Sequence, residues 1–140
     1  MKILTIYYGL VQCLHLLALA RAGWILLDGE KVPFPIQPPV GGWEPQAMAF
    51  LLGLGGVDLV AILMGIGFAY LWVIRGQFKP QLGVLSLTIA TPSALVFAAG
   101  TAASSAWQAH PAGYWAMVAL FLPAGLLHLL LIKNLWRRRA

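Results

Sequence analysis

The chain has 140 residues, of which 61 % are hydrophobic and only 9 % charged, and its mean hydropathy is +0.83. A soluble domain of this length carries about 25 % charged residues, so a soluble enzyme with its own solvated surface and a disordered chain are both excluded, and the lone Cys13 excludes a disulfide scaffold. The net charge of +5 does not point to nucleic acid, because the basic residues are scattered or flank apolar stretches, where membrane topology accounts for them.

A helix needs about 20 apolar residues to cross a hydrocarbon core, and four stretches are long enough. They run from Ile3 to Leu27, Ala47 to Ile74, Leu82 to Ala106 and Tyr114 to Leu135. None alternates strictly between polar and apolar residues, so helices are expected and a barrel is not. The expected fold is a single-domain (1–140), all-α integral membrane protein: an antiparallel bundle of four transmembrane helices.

The first stretch also contains features of export signals. Ala20-Arg21-Ala22 resembles a signal cleavage site, and Leu10-Val11-Gln12-Cys13 resembles a lipoprotein box with Gln12 where a small residue is wanted. Apolar sequence continues through Gly23-Trp24-Ile25-Leu26-Leu27, which favours an uncleaved span.

Between the first two spans lies a loop, residues 28–46, rich in proline and glycine (Pro33, Pro35, Pro38, Pro39, Gly41, Gly42) and interleaved with apolar side chains. It can act as an extended lid over the helix ends or as a stiff spacer. The other two connectors, 75–80 and 107–113, are short turns that make helices two, three and four antiparallel neighbours. Seven basic residues (Lys2, Arg75, Lys79, Lys133, Arg137, Arg138, Arg139) fall on one side of these spans, against Lys31 on the other. Both termini are therefore expected in the cytoplasm of a bacterial-type inner or plasma membrane, with the proline loop outside.

An ionisable side chain at the bilayer centre costs about 2.5–3.5 kcal/mol on insertion scales, so each should face a partner or a cavity. Four residues qualify: His15 and Arg21 in the first span, Asp58 in the second and His128 in the fourth. At about 1.5 Å of rise per residue, Arg21 and Asp58 differ by about 6 Å in depth, within reach of an arginine side chain. Their ion pair is the expected assignment, either as interhelical glue or with Asp58 as a carboxylate for a proton or a ligand. Steps of 100° per residue place Tyr8, Gln12, His15 and Ala22 on one polar and small stripe, and turn Arg21 about 120° away from His15. Gly55, Asp58, Ala61, Gly65, Ala69 and Trp72 make a second face of small residues around the aspartate. Such a face permits close helix packing or leaves room for a ligand.

The third span carries Ser86, Thr88, Thr91, Ser93, Thr101, Ser104 and Ser105. Its Pro92 frees a backbone carbonyl that Thr88, Thr91 or Ser93 can help to satisfy. In the fourth span Pro123 and Gly125 precede His128.

No Walker loop, nucleophile elbow or dinucleotide fingerprint occurs, and no spacing suits zinc or a di-iron centre. His15 and His128 are the one pair available for axial haem ligation, with about 5 Å between their depths. No cofactor is otherwise expected.

Two resemblances follow from these residues. In size and helix count the chain resembles the small four-helix exporters, whose carboxylate is a first-helix glutamate where this chain has His15 and Arg21. With Asp28, Asp58 and a fourth-span proline, Pro123, it resembles the emopamil-binding, sigma-2 receptor-like family of four-helix sterol and amine binders. That resemblance implies that Asp58 faces a ligand; the family's third-helix histidine has no counterpart here.

Two functions are therefore expected. The first is a non-catalytic accessory or assembly subunit that packs against lipids and against other membrane helices or copies of itself through its Gly, Ala and Ser faces. The alternative is a binding or isomerase-like protein for a lipophilic small molecule beside Asp58, with Gln12, Arg21, His15 and His128 as the other candidates. A small transporter and a haem-binding protein stand behind these two.

Overall fold

The computed structural model describes residues 1–27, 45–102, 108 and 111–137. Residues 28–44 of the proline-rich loop expected outside, Asp28 among them, together with Ser104, Ser105 and the three C-terminal residues 138–140, lie beyond the described residues. Within them the chain forms four long helices: α1 (Lys2–Leu27), α2 (Pro45–Val73), α3 (Pro80–Thr101) and α4 (Pro111–Arg137). No strand occurs among the described residues. Each helix contains a segment long and apolar enough to cross a membrane: Lys2–Arg21, Leu52–Val73, Pro80–Thr101 and Tyr114–Arg137. In a medium without water every backbone N–H and C=O must find its partner within the segment, and a helix does this locally.

The helix ends differ from expectation in one systematic way. α2, α3 and α4 each begin on a proline (Pro45, Pro80, Pro111), two or three residues before the expected starts at Ala47, Leu82 and Tyr114. Proline suits the first helical position because its fixed φ is helical and its missing N–H would have no intrahelical acceptor there. The third span, expected to reach Ala106, gives a helix that ends at Thr101. Between α2 and α3 the chain turns through Gly76, whose φ of +67° a side-chain-bearing residue rarely adopts. The Gln77 N–H donates to the Leu71 carbonyl across this turn (2.8 Å).

α2 packs most extensively on α3 and then on α1, α3 packs on α4, and the smallest of these contacts joins α1 to α4. α1 and α2 run in opposite directions. A Cβ on Gly9 would lie 2.7 Å from the Ala69 Cβ, while one on Gly55 would lie 3.2 Å from Leu19 Cδ2, further along α1. At Gly55, Gly65 and Ala69 the small face of α2 lies against α1, which is the close-packing use of such residues.

The apolar core gathers where α1 begins and α4 ends. Tyr8, Phe68, Leu87, Ala124, Leu127 and Leu131 form it, with Leu4, Trp72, Phe78, Leu82 and Val84 packed against it. Trp72 and Phe78 lie 4.3 Å apart by ring centroid, and Phe68 lies 5.8 Å from Trp72. Gly83 lets α3 approach this cluster: a Cβ there would lie 2.8 Å from both Phe68 Cε1 and Leu131 Cδ1. Outward, α1 presents Ile3, Ile6, Leu10, Leu14 and Leu17, and α4 presents Leu122, Leu126, Leu129 and Trp136. Both sets follow the three-or-four-residue spacing of a single helical face, apolar as a lipid-facing surface must be.

Candidate functional site: a polar seam between the first three helices

Just beyond the apolar core the contacts among α1, α2 and α3 become polar. The Ser86 hydroxyl donates to the Ala61 carbonyl (2.7 Å) and lies 2.8 Å from the Tyr8 hydroxyl. Ser86 has a single proton, and Ala61 takes it. Tyr8 must therefore donate to Ser86. Gln12, one turn along α1, lies beside the Tyr8 hydroxyl. Gly65 makes room for all three groups: a Cβ on it would lie 2.9 Å from Ser86 Oγ and Tyr8 Cε1 and 3.1 Å from Gln12 Cγ.

Further along the seam are His15 and Asp58. The Asp58 carboxyl lies near the Ser93 hydroxyl and interacts electrostatically with His15. Its field also reaches Tyr8. Both Asp58 and His15 are half-buried. The seam therefore runs through Tyr8, Gln12 and His15 on α1, Asp58 on α2, and Ser86 and Ser93 on α3.

The expected Arg21–Asp58 ion pair is not among the interactions of the described residues. Arg21 is exposed, and Asp58 is engaged by His15 and Ser93 instead. The reason is rotational. α2 lies against the face of α1 that carries Tyr8, Gly9 and Gln12, and Arg21 points about 120° away from His15, so matching depth does not bring it to the carboxylate.

His128 lies elsewhere, half-buried on α4 with its Nε2 3.1 Å from Thr88 Oγ1 on α3. The two histidines considered for haem thus have different partners, Asp58 for His15 and Thr88 for His128. No group of three or more His, Cys, Asp or Glu side chains suited to a metal ion occurs among the described residues. Thr88 and Ser93, expected to serve the carbonyl freed by Pro92, reach across to other helices. Pro123 has a comparable neighbour: the Tyr7 hydroxyl on α1 donates to the Leu120 carbonyl (2.8 Å), one residue past the carbonyl this proline leaves without its donor.

Ser86, named in the sequence only among the hydroxyls of the third span, and Ser93, expected to serve the carbonyl freed by Pro92, are the site residues that sequence reasoning missed. The available signal was their spacing of seven residues, two helical turns, which puts both hydroxyls on one face of α3. Among the described residues two buried polar oxygens have no hydrogen-bond partner, Gln12 Oε1 and Asn134 Oδ1; Gln12 is only 5 % exposed.

Comparison with known proteins finds no matching family model, no matching curated protein and no matching solved structure.

Proposed function

We propose that this chain is an antiparallel four-helix bundle of a bacterial-type inner membrane, with both termini in the cytoplasm, that binds a lipophilic small molecule beside Asp58. The orientation is supported by the seven basic residues that collect where α1 starts, α2 meets α3 and α4 ends. One observation carries the ligand assignment. Asp58 lies inside a helical segment apolar enough to cross a membrane, and among the described residues its interactions are with His15 and Ser93, not with an arginine or lysine. A carboxylate at membrane depth costs several kcal/mol unless something offsets it, so one without a fixed cation marks a place where charge is used.

Thermal unfolding in phosphatidylcholine nanodiscs, with a panel of sterols, lipids and amines, tests this function. At least one class should stabilise the wild-type protein and lose its effect on Asp58→Asn. Equal responses from the two proteins would remove Asp58 from the site. A C-terminal alkaline phosphatase fusion tests the orientation and should be inactive.

An accessory or assembly role is the second reading. Most of its motivating residues are occupied internally, since Gly55, Gly65 and Ala69 meet α1 and Gly83 meets α2 and α4. Gly53 and Gly56 favour it: both are exposed near the start of α2, three residues apart, with nothing within 4 Å of a Cβ placed there. Another helix can approach closely at such positions. A chain that runs alone in mild detergent would argue against this role.

A further inference from the structure

Thr5 and Thr101 turn their hydroxyls back onto their own helices, donating to the Met1 and Phe97 carbonyls four residues earlier. Thr88 does not: its Oγ1 lies 3.1 Å from His128 Nε2 on α4. If Nε2 donated here, both the threonine proton and the second ring nitrogen would be left over. With Thr88 as the donor only one group remains, so Nε2 accepts and Nδ1 carries the proton of the neutral imidazole. That N–H has no hydrogen-bond partner among the described residues.

Pro92 places an acceptor beside this donor. Having no N–H, it leaves the Thr88 carbonyl, four residues earlier, without its helical donor. Thr88 and Pro92 are both exposed, one turn apart on the same face of α3, and His128 is half-buried next to Thr88. Thr88 stands eight residues into the span that starts at Pro80, and His128 nine residues before the end of the span at Arg137. Both therefore lie about 12–14 Å in from the same end of the bundle, at a depth where lipid offers no hydrogen-bond partner.

The chemistry and depth of this patch select its occupant. It holds one donor, the His128 N–H, and one acceptor, the Thr88 carbonyl, at the same level. A two-fold axis along the membrane normal keeps every residue at its own depth, so a second copy brings an acceptor to each donor and a donor to each acceptor. Gly125, one turn from His128 on α4, has nothing within 4 Å of a Cβ placed on it, which lets a neighbouring helix come close.

We propose that two copies of the chain pair through the face shared by α3 and α4, the His128 Nδ1–H of each donating to the Thr88 carbonyl of the other. This inference rests on the assembly reading above, to which it gives a partner and a face, and not on the ligand at Asp58.

The test is single-molecule photobleaching of the dye-labelled full-length protein in phosphatidylcholine liposomes, over a range of protein-to-lipid ratios that yields the pairing constant. The wild-type protein should pair. His128→Leu removes both donors and should weaken pairing about eightfold, two interhelical bonds at their usual worth in a membrane. Pro92→Ala supplies the missing N–H, so that the Thr88 carbonyl is satisfied within α3. It should weaken pairing while raising thermal stability, two opposite shifts that a merely structural proline would not give. His128→Gln retains an N–H donor and should pair more tightly than His128→Leu. Should the His128 variants fail to fold, Gly125→Cys in a Cys13→Ser background locates the contact. Oxidation should link two copies there and not through Gly53→Cys.

Pairing that both His128→Leu and Pro92→Ala leave unchanged would overturn the inference, as would oxidative linkage through Gly53→Cys alone. If Gly53→Leu then abolishes that pairing, the assembly reading survives on the α2 face. A wild-type chain that is monomeric at every ratio would also overturn the inference, and the assembly reading would then stand or fall with an unlike membrane helix.

Discussion

Two neighbouring regions of this molecule are held together by different physics. The apolar cluster around Phe68, Leu87, Leu127 and Leu131 is closed by shape, with Gly83 letting α3 settle against an aromatic ring. The seam beside it is closed by directed bonds, Tyr8 to Ser86 and Ser86 to Ala61, with His15 and Ser93 around a carboxylate. In water the first kind of contact would dominate through the hydrophobic effect. In a bilayer lipid tails are as apolar as leucine, so the cluster gains chiefly from close packing, while the seam gains from partners that lipid does not provide. Packing therefore sets how firmly the helices hold, and the seam sets which faces meet.

Substitutions in the two regions should separate these contributions. The largest effect is expected at Phe68→Ala, which leaves a void against Gly83, Trp72 and Leu131 and should destabilise by about 3 kcal/mol, near the low end for such truncations. It falls there because the side chain's exposure to lipid on unfolding is nearly neutral. Reversible denaturation in mixed micelles reads this value; a loss below about 1 kcal/mol would show that the cluster is loosely packed.

A smaller loss, about 1–3 kcal/mol, is expected for Gly65→Ala, because the added methyl meets the Tyr8 ring and the Ser86 hydroxyl and must push α1 or α3 away. The same measurement, with infrared detection of the tyrosine environment, should show that stability and the Tyr8 hydrogen bond are lost together.

The smallest effect belongs to the bond itself. A double-mutant cycle of Tyr8→Phe and Ser86→Ala should give a coupling of about 0.6 kcal/mol, the usual worth of an interhelical hydrogen bond in a membrane protein. Coupling near zero would assign the seam to packing and erase the contrast with the cluster.

The four helices were legible in the sequence because composition and length suffice for a membrane span. The expected spans followed the apolar runs, so they open two or three residues inside the helices that start at Pro45, Pro80 and Pro111. The α1 side of the site was also legible: the 100° step puts Tyr8, Gln12 and His15 on one stripe, and the structure turns that stripe toward α2 and α3. The partner of Asp58 was misassigned because depth was matched without rotation, although the same step already turned Arg21 away from His15. The roles of Ser86 and Ser93 depend on which face of α3 meets α1 and α2, and that choice arises only from the packing of three helices together.

The hydrogen bond between Tyr8 and Ser86 joins residues 78 positions apart in the chain. A ribosome adding about 5–20 residues per second needs roughly 4–16 s to cover that distance. Throughout that interval α1 already exists with its tyrosine, glutamine and histidine, while the serine that completes their network has yet to be made. α2 emerges first and can bring Asp58 to His15 and its small residues to the stripe, holding α1 until α3 arrives. The polar stripe is thus a matter of birth order, and a defect in the α2 face would be felt by the nascent protein before α3 was made.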